Sequence, residues 1–126
     1  MKDENKPVDL RMRTKQFALR IIRLYAALPK TMEGQVIGKQ LLRSGTSVGA
    51  HYREASRARS DAEFISKLEG GLQELEESAY WMELLSESGI VSAARLTELQ
   101  KEADELTAIL ITCVKKTKQN KEKQTD

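Results

Sequence analysis

Apolar residues recur at helical spacing through almost the whole chain, in four separate stripes. The first, Leu10, Phe17, Ile21, Leu24 and Leu28, advances by seven, four, three and four residues, the repeat that lines one side of an α-helix. Asp9 is a suitable N-cap, and Pro29 disfavours helical geometry in the residue before it, so helix 1 is expected over 9–28. A second stripe, Ile37, Leu41, Ser44, Val48 and Ala55, predicts helix 2 over 33–58. Gly34, Gly38, Gly45 and Gly49 lie inside it, each costing up to about 1 kcal/mol of helix propensity. Gly38, Gly45, Gly49 and Ser56 fall on one narrow strip beside the core face, where another backbone can approach closely. Ser60, Asp61, Ala62 and Glu63 spell an S-x-x-E capping box just ahead of Phe64, Ile65 and Leu68. Helix 3 then continues through Leu72, Leu75, Ala79 and Met82 and stops at Ser88 and Gly89, giving 61–87. Ser92 caps helix 4, expected over 92–116 on the stripe Leu96, Leu99, Ala103, Leu106, Leu110 and Cys113. Residues 1–8 form an N-terminal extension, and residues 117–126, TKQNKEKQTD, lack a core stripe and are expected to be disordered.

No strand alternation competes with this pattern. Four amphipathic helices joined by short turns predict a single all-α domain, an antiparallel up-down-up-down four-helix bundle. Aromatic residues are only 5% of the chain and charged residues 32%, so the core must be aliphatic. No apolar run approaches the roughly 18 to 20 residues that span a bilayer, so no membrane partner is expected. The start MKDENKPVDL has no apolar stretch resembling a signal peptide, and the single Cys113 cannot form an internal disulfide; a cytoplasmic protein is the expectation.

Some apolar residues exceed what one bundle requires. Met12, Leu19 and Ile22 stand away from the core stripe of helix 1, and Trp81 shares its side of helix 3 with Glu63, Glu74 and Glu77. These four are read as an interface between copies of the chain, with Trp81 as the anchor.

The search for catalytic chemistry returns little. His51 and Glu54 form H-x-x-E on helix 2, but di-iron bundles use paired E-x-x-H motifs facing inward. Here the order is reversed, the motif is single and both residues lie off the core stripe, so no metal is expected, and His51 reads as a boundary residue hydrogen-bonding at a helix contact. Cys113 reads as a small buried hydrophobe. Gly70 and Gly71 follow no strand and serve helix packing rather than phosphate binding. With no nucleophile, base and oxyanion donor in combination, neither an enzyme nor a cofactor is expected.

Charge is more informative. Residues 1–59 hold 13 Lys and Arg against 5 Asp and Glu, whereas residues 60–126 hold 8 against 14; the chain is basic first and acidic second. Arg13, Arg20 and Arg23 share one flank of helix 1, and Arg59 occupies the turn after helix 2. Lys39, Arg43, Arg53 and Arg57 fall within roughly 40° of one line on helix 2. Arginine suits phosphate because its planar guanidinium donates two hydrogen bonds at once. Acidic helix 3 is the competing partner, across the bundle or across an interface. With Tyr52 the main aromatic near the stripe, contacts to a nucleic-acid backbone would be salt-sensitive and weakly sequence-specific.

The segment LRSGTSVGA at 42–50, Glu54 and Ala55 after it, and Phe64, Ile65, Leu72, Glu74 and Leu75 resemble the four-helix-bundle family of 23S rRNA intervening-sequence proteins. The resemblance covers about residues 14–112, and its R-x-x-x-S-[IV] pattern is carried by Arg43, Ser47 and Val48. It implies a ring-like homopentamer with a basic surface and no enzymatic activity. A related fold serves as the accessory protein of diversity-generating retroelements, which implies nucleic acid and a nucleic-acid-processing protein as partners. His51 stands where asparagine would be expected and Ala55 where many members carry glycine, which marks a divergent branch. Together these point to a non-catalytic homo-oligomer binding RNA or an RNA–protein complex through the arginine faces of helices 1 and 2. The alternative is a protein–protein adaptor whose charged faces only join subunits.

Overall fold

The structure, a computed structural model, describes residues 9–125, with side chains through residue 123; the expected N-terminal extension over 1–8 lies outside the described residues. These residues form four helices and no strand: α1 (Leu10–Ala26), α2 (Met32–Ser56), α3 (Asp61–Glu87) and α4 (Ala93–Thr125). The caps are local. Carboxylate Oδ1 of Asp9 accepts from the Met12 N–H at 2.9 Å, Thr31 Oγ1 from that of Gly34 at 3.2 Å and Ser60 Oγ from that of Glu63 at 3.1 Å. Glu63 reaches back one residue beyond the cap, accepting from the Arg59 N–H at 3.0 Å. Beyond Ser56, the N–H groups of Arg57 and Ala58 reach back only three residues, which closes α2 before the expected 58. Gly89 takes a positive φ of 81° after α3, a conformation costly for any other residue.

The expected stripes of α1 and α2 are buried, with Ile37 packed partly against the core. The glycine strip of α2 turns toward α1: Gly38 lies under Leu28 and Tyr25, Gly45 under Ile21, and Gly49 against Thr14. Ser44 of α2 meets Ser78 of α3 hydroxyl to hydroxyl at 2.9 Å in the core, and Ser78 also donates to the Glu74 carbonyl at 2.8 Å. Those bonds let a polar residue take an interior position. The interior face of α3 therefore passes through Ser78, and Ala79, expected in its stripe, is exposed. On α4 the stripe continues from Leu110 to Val114, four residues on, and Cys113 is only half-buried beside it.

α4 runs nine residues past the expected 116. Its last turns contain no glycine or proline, and Lys118 pairs with Glu69 of α3 at 3.6 Å; good helix formers continue a helix even where little is buried. Among the described residues no helix is long and apolar enough to cross a membrane.

Candidate nucleic-acid interface

The basic residues divide into two classes. Arg13 crosses from α1 to α4, where its Nε and Nη2 donate to Glu102 at 3.0 and 2.6 Å and Nη2 donates to Glu105 at 2.9 Å. The Glu102 hydrogen bond, opposed by partial burial, holds the Arg13 guanidinium above its ordinary value. Arg43 crosses from α2 to α3, reaching Glu74 at 3.4 Å and, much closer, Glu77. Both arginines are thus engaged by the acidic half of their own chain.

The side chains of Arg20, Arg23, Lys39, Arg53, Arg57 and Arg59 meet no carboxylate among the described residues. Arg53 shares a shallow cleft of about 290 Å³ between α1 and α2 with Lys15, lined also by Thr14, Ala18, Thr46 and Gly49. Arg57, Arg59 and Lys39 are exposed. Arg20 and Arg23 line a second cleft, between α1 and α4, together with Arg95. Arg95 is absent from the sequence-based set because it stands alone in the acidic half. The signal for it lay in the packing: one cleft joins Arg20, Arg23 and Leu24 of α1 to Arg95 and Leu99 of α4, a pairing that no local pattern carries.

His51 and Glu54 do not act together. Glu54 pairs with Lys67 at 3.2 Å, whereas the His51 ring packs over Gly70. His51 Nε2 lies 3.7 Å from Glu74, beyond hydrogen-bonding distance, and its Nδ1 is buried without a partner. The hydrogen bond expected of His51 is therefore not made. Among the described residues no group of three or more His, Cys, Asp or Glu side chains is placed to hold a metal ion.

Of the residues expected at an interface, Met12 and Ile22 are exposed, at 49% and 43%, and Leu19 is half-buried. Trp81 packs partly against its own core and edge-on to Tyr80, ring centroids 5.0 Å apart. Its indole N–H is buried without an acceptor. Met32, Val36 and Tyr80 are further exposed apolar side chains that the sequence reading left out, since they belong to no stripe.

A family model described as 23S rRNA-intervening sequence protein matches residues 6–112. The chain is also similar to a crystal structure of a protein with unknown function from the S23 ribosomal protein family of Bacteroides thetaiotaomicron. The two share 38% identity and a TM-score of 0.79, and the match covers 83% of this chain and 97% of that one. No curated protein matches.

Proposed function

We propose that this chain, which belongs to the 23S rRNA-intervening sequence protein family, is a non-catalytic cytoplasmic homo-oligomer that binds RNA, alone or within an RNA–protein complex, through its unpaired arginines. The observation that carries this reading is the split among the basic residues. Arg13 and Arg43 are met by carboxylates, while Arg20, Arg23, Arg53 and Arg57 meet none among the described residues, although α3 and α4 are rich in glutamate. A guanidinium left unpaired on such a surface is available to phosphate, and its fork geometry suits that anion.

The antiparallel up-down-up-down arrangement is supported by contacts whose residue numbers rise on one helix as they fall on the next: Tyr25, Ile21 and Thr14 against Gly38, Gly45 and Gly49, and Ser44 and Glu54 against Ser78 and Lys67. A ring-like homopentamer fits the exposed apolar residues, which are spread over α1, α2 and α3 and so offer two different patches for a head-to-tail contact.

Size-exclusion chromatography with light scattering, run with and without a structured RNA at about 50 and 300 mM salt, tests the reading. An oligomer should take up RNA at the lower salt and release it at the higher, and Arg53→Glu with Arg57→Glu should abolish uptake without unfolding the bundle. Uptake unchanged by that pair of substitutions would sink the assignment. The exposed Met12, Ile22, Met32 and Val36 favour a second reading, an adaptor that only assembles with itself and other proteins. That reading predicts an oligomer indifferent to RNA.

A further inference from the structure

The seam between α1 and α4 carries arginines in two opposite settings. At Arg13, α4 supplies Glu102 and Glu105, and the guanidinium is met twice. Seven and ten residues further along α1, Arg20 and Arg23 share with Arg95 and the apolar Leu24 and Leu99 a cleft of about 260 Å³. None of these three arginines meets a carboxylate among the described residues. Glu98, one turn after Arg95, pairs instead with Lys101 at 3.9 Å. Arg23 and Arg95 are exposed there and Arg20 is half-buried, so water screens the mutual repulsion of the three guanidiniums, but no carboxylate among the described residues neutralises them.

Arg23 has a structural reason for its position, since a cation in the last turn of α1 offsets the negative end of the helix. Arg95 has the reverse. It lies in the first turn of α4, which contains no acidic residue, where the helix end is already partially positive and a further cation is disfavoured. No ion pair among the described residues offsets that cost, and a bound anion would turn each of these repulsions into an attraction.

We infer that Arg20, Arg23 and Arg95 seat one backbone phosphate of the bound nucleic acid, making α4 a third contacting helix beside α1 and α2. The seat presupposes the RNA binding proposed above, and the two fail separately in one experiment. The full-length chain is titrated against a fluorescently labelled structured RNA between about 50 and 300 mM salt. Arg95→Gln, Arg95→Lys and the Arg53→Glu, Arg57→Glu pair are measured beside it. Arg95→Gln should weaken binding about tenfold and lower the slope of log affinity against log salt by about 1, the signature of one lost phosphate contact. Arg95→Lys should restore the slope but only part of the affinity, because lysine keeps the charge without the fork. Thermal unfolding of Arg95→Gln should be unchanged or slightly raised, since the substitution removes a cation from the positive end of α4.

Unaltered affinity and slope in Arg95→Gln, with binding abolished by the Arg53 and Arg57 pair, overturns the seat and leaves RNA binding standing. No binding by the unaltered chain overturns both. Uptake of inorganic phosphate that Arg95→Gln removes while RNA affinity holds also overturns the seat, since it would then serve a free anion.

Discussion

Gly45 shows how tightly α1 and α2 are fitted. A methyl group added there would collide with Cδ1 of Ile21 and stand 3.2 Å from its Cγ2, and Ile21 is fully buried, with little room to move. Alanine would gain about 1 kcal/mol of helix propensity, against an overpacking cost of about 1 to 3 kcal/mol. Gly45→Ala is therefore expected to lower stability by about 1 kcal/mol in urea unfolding. Ile21→Val removes the colliding carbon, so the double variant should lose less than the two single losses added together. A Gly45→Ala chain more stable than the parent would refute the close approach. The spacing of the glycines was legible in the sequence as a packing strip, but the residue facing each one was not. The same holds for Arg43: its face of the helix follows from periodicity, whereas its pairing with Glu74 and Glu77 depends on the register between α2 and α3, which no local pattern encodes.

Helix boundaries were legible where a side chain or glycine marks them and illegible where nothing does. α3 begins and ends where expected because Ser60 caps it and Gly89 stops it. α4 has no such stop signal before 125, and reading the loss of its apolar stripe as the end of the helix undervalued the intrinsic helix preference of Lys, Gln and Glu. Cys113 stands in the expected stripe in place of Val114 for a related reason. Both continue the spacing within one residue, and only the packed structure decides between them. The two parts of α4 should differ in local stability. Leu96, Leu106, Leu110 and Val114 are buried, whereas over 117–123 only Thr117 is even half-buried, and an exposed pair such as Lys118 with Glu69 contributes about 0 to 1 kcal/mol. Native-state hydrogen exchange should show the amides of 117–125 exchanging at least about a hundredfold faster than those around Leu106. Equal protection would mean that the last turns are held by contacts to another molecule.

Across the whole molecule, the proposed homo-oligomer turns on what would join one copy to the next, because the charged and the apolar surfaces predict opposite responses to salt. Met12 and Ile22 are exposed on α1 and Leu19 is half-buried there; Val36 on α2 and Tyr80 on α3 are exposed away from that helix. Burying one apolar patch against a different one gives a heterologous contact, which closes into a ring when the rotation between subunits permits. Apolar burial is not weakened by screening, whereas contacts between basic and acidic faces lose strength as the Debye length falls to about 6 Å near 300 mM salt. The oligomer should therefore persist at 300 mM salt, and Met12→Glu with Ile22→Glu should reduce its mass in light scattering to the 14.2 kDa of a single chain with the helical circular dichroism retained. An oligomer that falls apart in salt and tolerates both glutamates would show that the charged faces hold the copies together. The unpaired arginines of α1 and α2 would then be occupied at subunit contacts rather than open to RNA, and the adaptor reading would replace the RNA-binding one.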